Sequence, residues 1–409
     1  MDEIEVPQYF ICPISLQIMK DPVTAITGIT YDRDSIEHWL FSNKNTTCPV
    51  TKQPLPRDSD LTPNHTLRRL IQAWCTQNAS LGIDRIPTPK PPLNKIQVLK
   101  LLKNLTVTDP NLKLKSLRKL ELLAAENERN KKCLLEAGVP KATIFFIVGC
   151  FIKGQIHEGL EEALSLLQFV KVPAEEVNLL LAENDQILDS LAWVLGCEME
   201  NSIAVKSHAV LVLKRIIQKG DPSVLERLKV EFFDKIVKIL RNGVTQKGMN
   251  AALHVLLRAC PWGRNRIMMV EIGAVFELVE IELMAPEKRN TELALAILFH
   301  LCSCANGRAQ FLSHKGSIAM LTDRILKVSA EVDERAVFVL SLISKFSATK
   351  MVLQDMLNVG TVSKLCMLLQ ADHAKYLKDK AIEILKSHSE VWKNSPCFSD
   401  PSFHASLGI

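Results

Sequence analysis

Two cysteines in the first fifty residues, Cys12 in ICPIS and Cys48 in TTCPVT, are each followed by proline and, three positions on, by a hydroxyl, Ser15 or Thr51. A thiolate can ligate metal or attack as a nucleophile. Structural zinc takes four closed nitrogen or sulfur ligands, commonly as cysteine pairs a few residues apart. Here each second ligand is replaced by a neutral hydroxyl, His38 and His65 are isolated, and Cys75 lies past a predicted helix. The outline of a metal site is present with half of its ligands missing, so neither metal nor another cofactor is expected. The loops must be held by hydrogen bonds and packing, with Ser15, Thr51, Asp32 and Lys52 as contributors. A nucleophilic cysteine needs a neighbouring base or a cationic setting. The sequence around Cys12 and Cys48 offers neither, and both are read as small buried residues.

The elements that position these loops are short. In GITYDRDSIEHWL (28–40), Gly28 permits a turn and Ile29–Tyr31 suit a strand. Asp32 is a good N-cap for a helix from Arg33 to Phe41, on which Ile36, Trp39 and Leu40 share a face. A second helix starts after Pro63 with Asn64 as its cap, and Leu67, Leu70, Ile71 and Trp74 follow at helical spacing.

Beyond residue 79 the composition changes. SLGIDRIPTPKPPLN (80–94) carries Pro87, Pro89, Pro91 and Pro92 and reads as a semi-rigid extended linker. After it almost everything reads as helix, and the sequence repeats. A small residue followed by apolar, any, apolar, apolar occurs at Ala163, Ala209, Ala252, Ala294, Ala336 and Ala381, and in degraded form at Ser116. Out of phase with these, Gly138, Gly273, Gly316 and Gly360 mark turns, and Asn184 stands at an equivalent position, where asparagine is the next best residue for a left-handed helix end. A 42–47-residue period of helix, short helix, Gly turn and third helix resembles the armadillo repeat, over roughly residues 94–390. One hairpin of helices cannot bury its apolar face alone, and stacked neighbours can.

The composition fits such an array. Apolar residues make up 47% and aromatic residues only 6% of 409, which favours helix-on-helix packing. The net charge of +5 is small, with basic and acidic residues interspersed, so no nucleic-acid footprint stands out. The eleven cysteines are scattered and odd in number, the N-terminus lacks a signal peptide, and no apolar run reaches 18 residues. A cytoplasmic or nuclear protein without a membrane span is expected.

The stretch YFICPISLQIMKDPVTAITGITYDRDSIEHWL, then CPVTKQPL, then LTPNHTLRRLIQAW resembles the U-box family along nearly its whole length, a RING-like outline without zinc. The fold expected is mostly α: a small α+β U-box (5–79), a Pro-rich linker (80–93), an all-α armadillo solenoid (94–390) and a tail (391–409) without fixed structure. A U-box followed directly by armadillo repeats resembles the plant ubiquitin ligases, and the short IPTPKPP linker resembles the subgroup associated with immune and drought responses. The resemblance implies ubiquitin transfer without a covalent enzyme intermediate, with a ubiquitin-charged conjugating enzyme docked on the U-box and a protein substrate on the repeats. Carried over to this sequence, docking falls to Ile14, Leu16, Pro49 and Lys52 in the two loops, and to Trp39 or Leu40 on the central helix. Lysine at position 52 lacks the fork of the arginine common there. The U-box is also a candidate surface for homo- or hetero-oligomers.

The alternative is a non-catalytic armadillo adaptor with a degenerate U-box. Nuclear import adaptors of the armadillo class carry repeated Trp-x-x-x-Asn pairs. Here Trp193, Trp262 and Trp392 are followed at that spacing by Cys197, Arg266 and Pro396, and the single match, Trp74 with Asn78, lies outside the repeats. Thr62, Thr88 and Ser395 precede prolines, the minimum for a proline-directed kinase. Thr62 is the best placed, just ahead of the predicted helix and its free amides. Because no metal is expected to hold the first 79 residues, a strong chelator should leave their thermal transition unchanged, whereas a zinc finger unfolds under the same treatment. Stoichiometric zinc in the purified protein would overturn this expectation.

Overall fold

The computed structural model describes residues 5–42, 45–56, 59–84, 93–155, 158–241, 243–284 and 286–393. Residues 85–92, with the four linker prolines and Thr88, and the tail from 394 on lie outside the described residues. The chain divides into two compact units, Met1–Val139 and Pro140–Ile409.

The first unit begins with a three-stranded antiparallel sheet of order β2-β1-β3. Strand β1 (Pro22–Thr24) pairs with β2 (Thr30–Asp32), Val23 opposite Tyr31, and with β3 (Thr62–Pro63), Val23 opposite Pro63. Helix α1 (Arg33–Glu37) follows β2 at once and continues as a π-helical turn, His38–Ser42, so the expected helix changes pitch halfway. Helix α2 (His65–Gln77) is capped as its sequence predicts: the Asn64 side chain accepts from the Leu67 amide at 3.0 Å. Asp32 sits at the N-cap position of α1 but does not cap it. Its carboxylate accepts instead from the amides of Lys20 (2.7 Å) and Asp21 (2.9 Å), tying the first loop to the sheet. Tyr31, Ile36, Leu40, Leu55 and Ile71 form the core with Cys12 and Cys48, and Trp74 packs edge-on against Phe10. Helices α3 (Lys95–Leu105), α4 (Pro110–Glu126) and α5 (Glu128–Glu136) complete the unit.

The second unit is helical throughout its described length. From the boundary run α6 (Val139–Lys153), α7 (Leu160–Phe169), α8 (Ala174–Glu183), α9 (Ile187–Val194), α10 (Ser202–Lys219), a 3-10 turn (Pro222–Arg227) and α11 (Val230–Lys238). Then come α12 (Gln246–Ala259), α13 (Gly263–Glu271), α14 (Ala274–Leu283), α15 (Lys288–Cys302), α16 (Ala305–Ser313) and α17 (Ser317–Arg324). The last are α18 (Ala330–Phe346), α19 (Lys350–Asn358), α20 (Thr361–Gln370), α21 (Lys375–Ser387) and α22 (Ser389–Trp392). The tripartite repeat is complete in α12–α14, α15–α17 and α18–α20. The marker residues Ala163, Ala209, Ala252, Ala294, Ala336 and Ala381 are all fully buried, on α7, α10, α12, α15, α18 and α21, which stack in that order. A larger side chain at these points would hold neighbouring helices apart.

The turn markers divide. Gly138, Gly273 and Gly360 adopt the left-handed conformation, with φ near +80°. Asn184 does not, contrary to expectation. It is extended (φ −152°) and makes the turn with its side chain, whose Oδ1 accepts from the Gln186 amide at 2.8 Å. Gly316 also departs, at φ −92°, where the His314 ring nitrogen Nδ1 accepts from the Gly316 amide at 3.2 Å. A side-chain acceptor inside the turn removes the need for a left-handed residue. Among the described residues no single helix is long and apolar enough to cross a membrane.

Gly307 is a glycine for a different reason. A Cβ there would lie 1.9 Å from the Leu301 carbonyl oxygen, backbone that cannot swing aside. At Gly263, the first residue of α13, a Cβ would meet only the flexible Arg266 guanidinium, at 3.6 Å. Gly307→Ala should therefore destabilise the repeats by about 1–3 kcal/mol or more, and Gly263→Ala should leave them unchanged or stabilise them by about 0.4–1 kcal/mol. Thermal melting of the two variants checks the contrast.

Candidate functional site

The two cysteine loops are built alike. Cys12-Pro13-Ile14-Ser15-Leu16-Gln17 and Cys48-Pro49-Val50-Thr51-Lys52-Gln53 share the order Cys, Pro, β-branched apolar, hydroxyl, variable, Gln. In the first, the Cys12 amide donates to the Gln17 carbonyl (2.8 Å) and the Leu16 amide to the Cys12 carbonyl (2.9 Å). In the second, Cys48 donates to Gln53 (2.8 Å) and Lys52 to Cys48 (3.0 Å). An isolated bridge closes each loop, Ile11 with Ile18 and Thr47 with Pro54. Each variable residue is left-handed, Leu16 at φ 56° and Lys52 at φ 61°. For residues with a Cβ that conformation costs about 1–2 kcal/mol, which the paired backbone bonds around it offset.

The sulfurs act as hydrogen-bond acceptors. Cys12 Sγ accepts from the Asp32 amide at 3.3 Å and from Ser15. Cys48 Sγ accepts from Thr27 Oγ1 (3.4 Å) and the Thr51 amide (3.4 Å), and Tyr31 Oη lies 3.0 Å away. Adjacent residues of β2, Tyr31 and Asp32, thus anchor both loops. Ser15, Thr51 and Asp32 contribute to the loops as expected, while Tyr31 and Thr27 are anchors that sequence reasoning missed. Lys52 contributes through its ammonium, which donates to the Pro49 carbonyl at 2.9 Å. Among the described residues no three His, Cys, Asp or Glu side chains converge to hold a metal ion.

Electrostatically the loops are unusual for buried thiols. Burial raises the Cys48 pKa, but hydrogen bonds from Thr27, Thr51 and Tyr31 outweigh it and hold the thiol at about 6. At Cys12 burial again raises the value, and bonds from Ser15, Asp32 and Ile14 bring it below the ordinary range. The lowering comes from neutral hydroxyl and amide donors folded around each sulfur, not from the base or cationic setting a nucleophile needs. Neither is a nucleophile all the same, since both have 0% of their surface exposed.

What remains for chemistry is surface. Leu16 is 76% exposed. Ile14 is half-buried, packed by one side against the core, and Pro49 is also half-buried. Trp39, half-buried, donates through Nε1 to the Thr47 carbonyl at 2.9 Å, joining the π-helical turn to the second loop. Leu40 is a correction: it is fully buried in the core beside Ile36, four residues before it on the same face, and has no face for a partner. Val50, at the Ile14 position of the second loop and 49% exposed, was missed, although the repeated Cys-Pro-apolar-hydroxyl-x-Gln order points to it. Tyr9 and Ile26, 62% and 63% exposed, are further apolar surface of the same small domain. Thr62 is exposed in β3, but Asn64 already satisfies the Leu67 amide of α2, so the helix end is less open to a phosphate than expected.

Comparison with known proteins is consistent along the chain. A family model described as the U-box domain matches residues 6–80, and one described as the plant U-box protein ARM repeat region matches residues 97–407. The chain is similar to three proteins of Arabidopsis thaliana: E3 ubiquitin-protein ligase PUB23, 45% identical and covering 97% of this chain and 96% of that protein; PUB24, 42% identical (97% and 95%); and PUB22, 41% identical (97% and 97%). Among solved structures, an engineered protein aligns with a TM-score of 0.52 at 18% identity, covering 76% of this chain and 72% of that one, a likeness of fold alone.

A thiol held at about 6 in the fold and near 9 when free favours the folded state increasingly as pH rises from about 6 to about 9, and this contribution is lost as pH falls through 6. Cys12, shifted the same way, adds to it. The stability of the N-terminal domain, followed by hydrogen exchange of its core amides in the full chain, should rise over this window. The rise should shrink in Cys48→Ser, and an equal rise in that variant would count against the hydrogen-bonded thiolate.

Proposed function

The chain belongs to the plant U-box proteins that carry an ARM repeat region, and as a member it is a ubiquitin-protein ligase; we propose that it works by positioning alone. In this reading the two cysteine-centred loops receive a ubiquitin-charged conjugating enzyme. Ile14 and Leu16 from the first loop and Pro49 and Val50 from the second supply the apolar contact, with Trp39 bracing the second loop. The thioester belongs to the bound enzyme, and the ligase holds it near a substrate lysine in a reactive geometry, an entropic contribution that needs no nucleophile of its own. The single observation that carries the reading is that both loops are fixed from within, by sulfurs sealed under them, while their tips stay apolar and exposed. A cation bridging to ubiquitin would have to come from Lys52, whose ammonium already donates to Pro49 and would exchange that bond on docking.

The repeats, in this proposal, select the protein substrate. The ten described cysteines are all free, which supports a cytoplasmic or nuclear setting. A role in immune and drought responses, oligomerisation through the U-box, and regulation by a phosphate on Thr62 beside Arg68 are parts of the same proposal. They rest on the sequence resemblance and on the exposure of Thr62 ahead of α2.

Discharge of ubiquitin from a loaded conjugating enzyme onto free lysine tests the reading and separates a working ligase from an adaptor with an inert U-box. Ile14→Ala, which removes an apolar anchor at a small interface, should cost about 2 kcal/mol of docking, roughly 30-fold, and Val50→Ala less. Full discharge by a folded Ile14→Ala protein would remove this loop from the docking site.

A further inference from the structure

The long helices α10, α12, α15 and α18 each turn one row of side chains away from the stacked core, and positive charge collects along those rows. Lys214 on α10 donates to Asn250 Oδ1 on α12 (3.2 Å), and Asn250 Nδ2 donates to Asn290 Oδ1 on α15 (3.2 Å). His254, one turn along from Asn250, is held down to about 4 by burial, by Lys214 and by Arg289. Lys214 is itself lowered by burial and by Arg289. Farther along, His300 on α15 is lowered by burial, by Arg266 and by Arg335 of α18. Cations from successive repeats therefore lie close enough to disfavour one another's charge.

Carboxylates balance only some of them, Arg289 and Arg335. Glu292 accepts from Arg289 (3.0 Å) and from Ser329 (3.1 Å), and Glu334 lies beside Arg335 (3.4 Å) and accepts from Tyr376 (2.7 Å). Among the described residues no carboxylate forms an ion pair with Lys214, Arg215, Arg258 or Arg266. Arg215 donates to the Leu167 carbonyl at 2.8 Å and to Gln168, Arg266 to the Cys260 carbonyl at 2.7 Å, and Arg258 is exposed one turn beyond His254. Lys214 and Arg215 are half-buried, so they cannot relieve the repulsion simply by swinging out into water. Beside the cations runs a row of rings, one per repeat. Phe299 lies 5.6 Å from Phe338, Phe338 lies 6.5 Å from Tyr376, and the Arg335 guanidinium sits over Phe299 at 5.6 Å.

We propose that this face binds an extended, carboxylate-rich segment of a partner protein, with acidic side chains over Lys214 and Arg258 and an aromatic or long aliphatic side chain against Phe299 and Phe338. The inference rests on the reading that the repeats select the substrate, and names its chemistry. The dimensions agree: packed helices lie about 8–10 Å apart, so α10 to α21 spans about 32–40 Å, the reach of an extended chain of about 10–12 residues. The partner's carboxylates would supply the counter-charge that the fold withholds, and the rings would fix its register.

The test uses the full chain and fluorescence anisotropy with three labelled probes: a Glu/Asp-rich peptide of about twelve residues with one phenylalanine near an end, the same peptide with Lys for each acid, and a single-stranded oligonucleotide of equal charge. The acidic peptide should bind, and should weaken roughly tenfold as salt rises from about 0.05 M to 0.3 M through screening of the charges. Arg258→Glu should weaken it at least tenfold, by replacing an attraction with a repulsion at an exposed site that folding does not need. Phe338→Ala should weaken it while leaving the salt dependence in place. Equal binding of the acidic and basic peptides, an unaffected Arg258→Glu variant, or an oligonucleotide that binds as tightly as the peptide would each overturn the proposal. Ubiquitin discharge by the wild-type chain, measured alongside, keeps the two readings apart. A chain that discharges ubiquitin but ignores the acidic peptide fails only here, and one that binds the peptide without discharging fails only as a ligase.

Discussion

Sulfur is a weak hydrogen-bond acceptor, yet the N-terminal domain is organised around two of them. Cys12 and Cys48 are each surrounded by donors: Asp32 and Ser15 at the first, Thr27, Thr51 and Tyr31 at the second. Because Tyr31 and Asp32 are neighbours on β2, one short strand registers both loops against each other. The donors pull the thiols toward the charged form, and the charged form is the better acceptor, so hydrogen bonding outweighs the cost of burial at each sulfur. A metal ion would achieve the same closure with a larger binding energy, but would tie the fold of the loops to metal supply and protonation.

This closure leaves the loop tips free to be sticky. Leu16 and Val50 expose apolar surface at the two loop tips, and Ile14 adds the side it does not pack against the core. Their backbone is fixed by paired bonds and left-handed residues, so little conformational freedom is lost when a partner covers them. That is the physical requirement for a protein that accelerates a reaction it does not carry out covalently: rigidity at the interface, and no competing nucleophile within it.

Much of this was legible in the sequence, for reasons that differ by element. The repeats were legible because burial at the helix crossing tolerates only small side chains, and that demand recurs every 42–46 residues at Ala163 through Ala381. Asn64 was legible because a cap acts locally. Leu40 was misread, because its spacing of four from Ile36 marks it as core, and the resemblance to a docking helix outweighed that local signal. Asp32 looked like a cap and serves a distant loop instead, a tertiary use of a side chain whose local use was equally good. Asn184 and Gly316 failed as left-handed turns because a side-chain acceptor did the work that backbone conformation was expected to do. Val50 was within reach, since its loop repeats the order of the first residue by residue.

Charge shows the limit most clearly. Along the chain the basic residues are interspersed with acidic ones, and the net value of +5 over 409 residues suggests nothing concentrated. A repeat array changes the meaning of distance, however. Residues about one period apart are neighbours across adjacent helices, as Lys214 with Asn250 and Phe299 with Phe338 show. A window sliding along the sequence averages over a whole repeat and returns neutrality, while the fold sorts each repeat into a core row, an outer row and the row proposed to face a partner. Acidic residues on that last row are tied up locally, Glu292 by Arg289 and Ser329, and Glu334 by Arg335 and Tyr376. Lys214, Arg215 and Lys219 on α10 donate instead to amide and carbonyl oxygens. The field of such a face is therefore set by geometry that periodicity imposes, and summing composition along the chain does not reveal it.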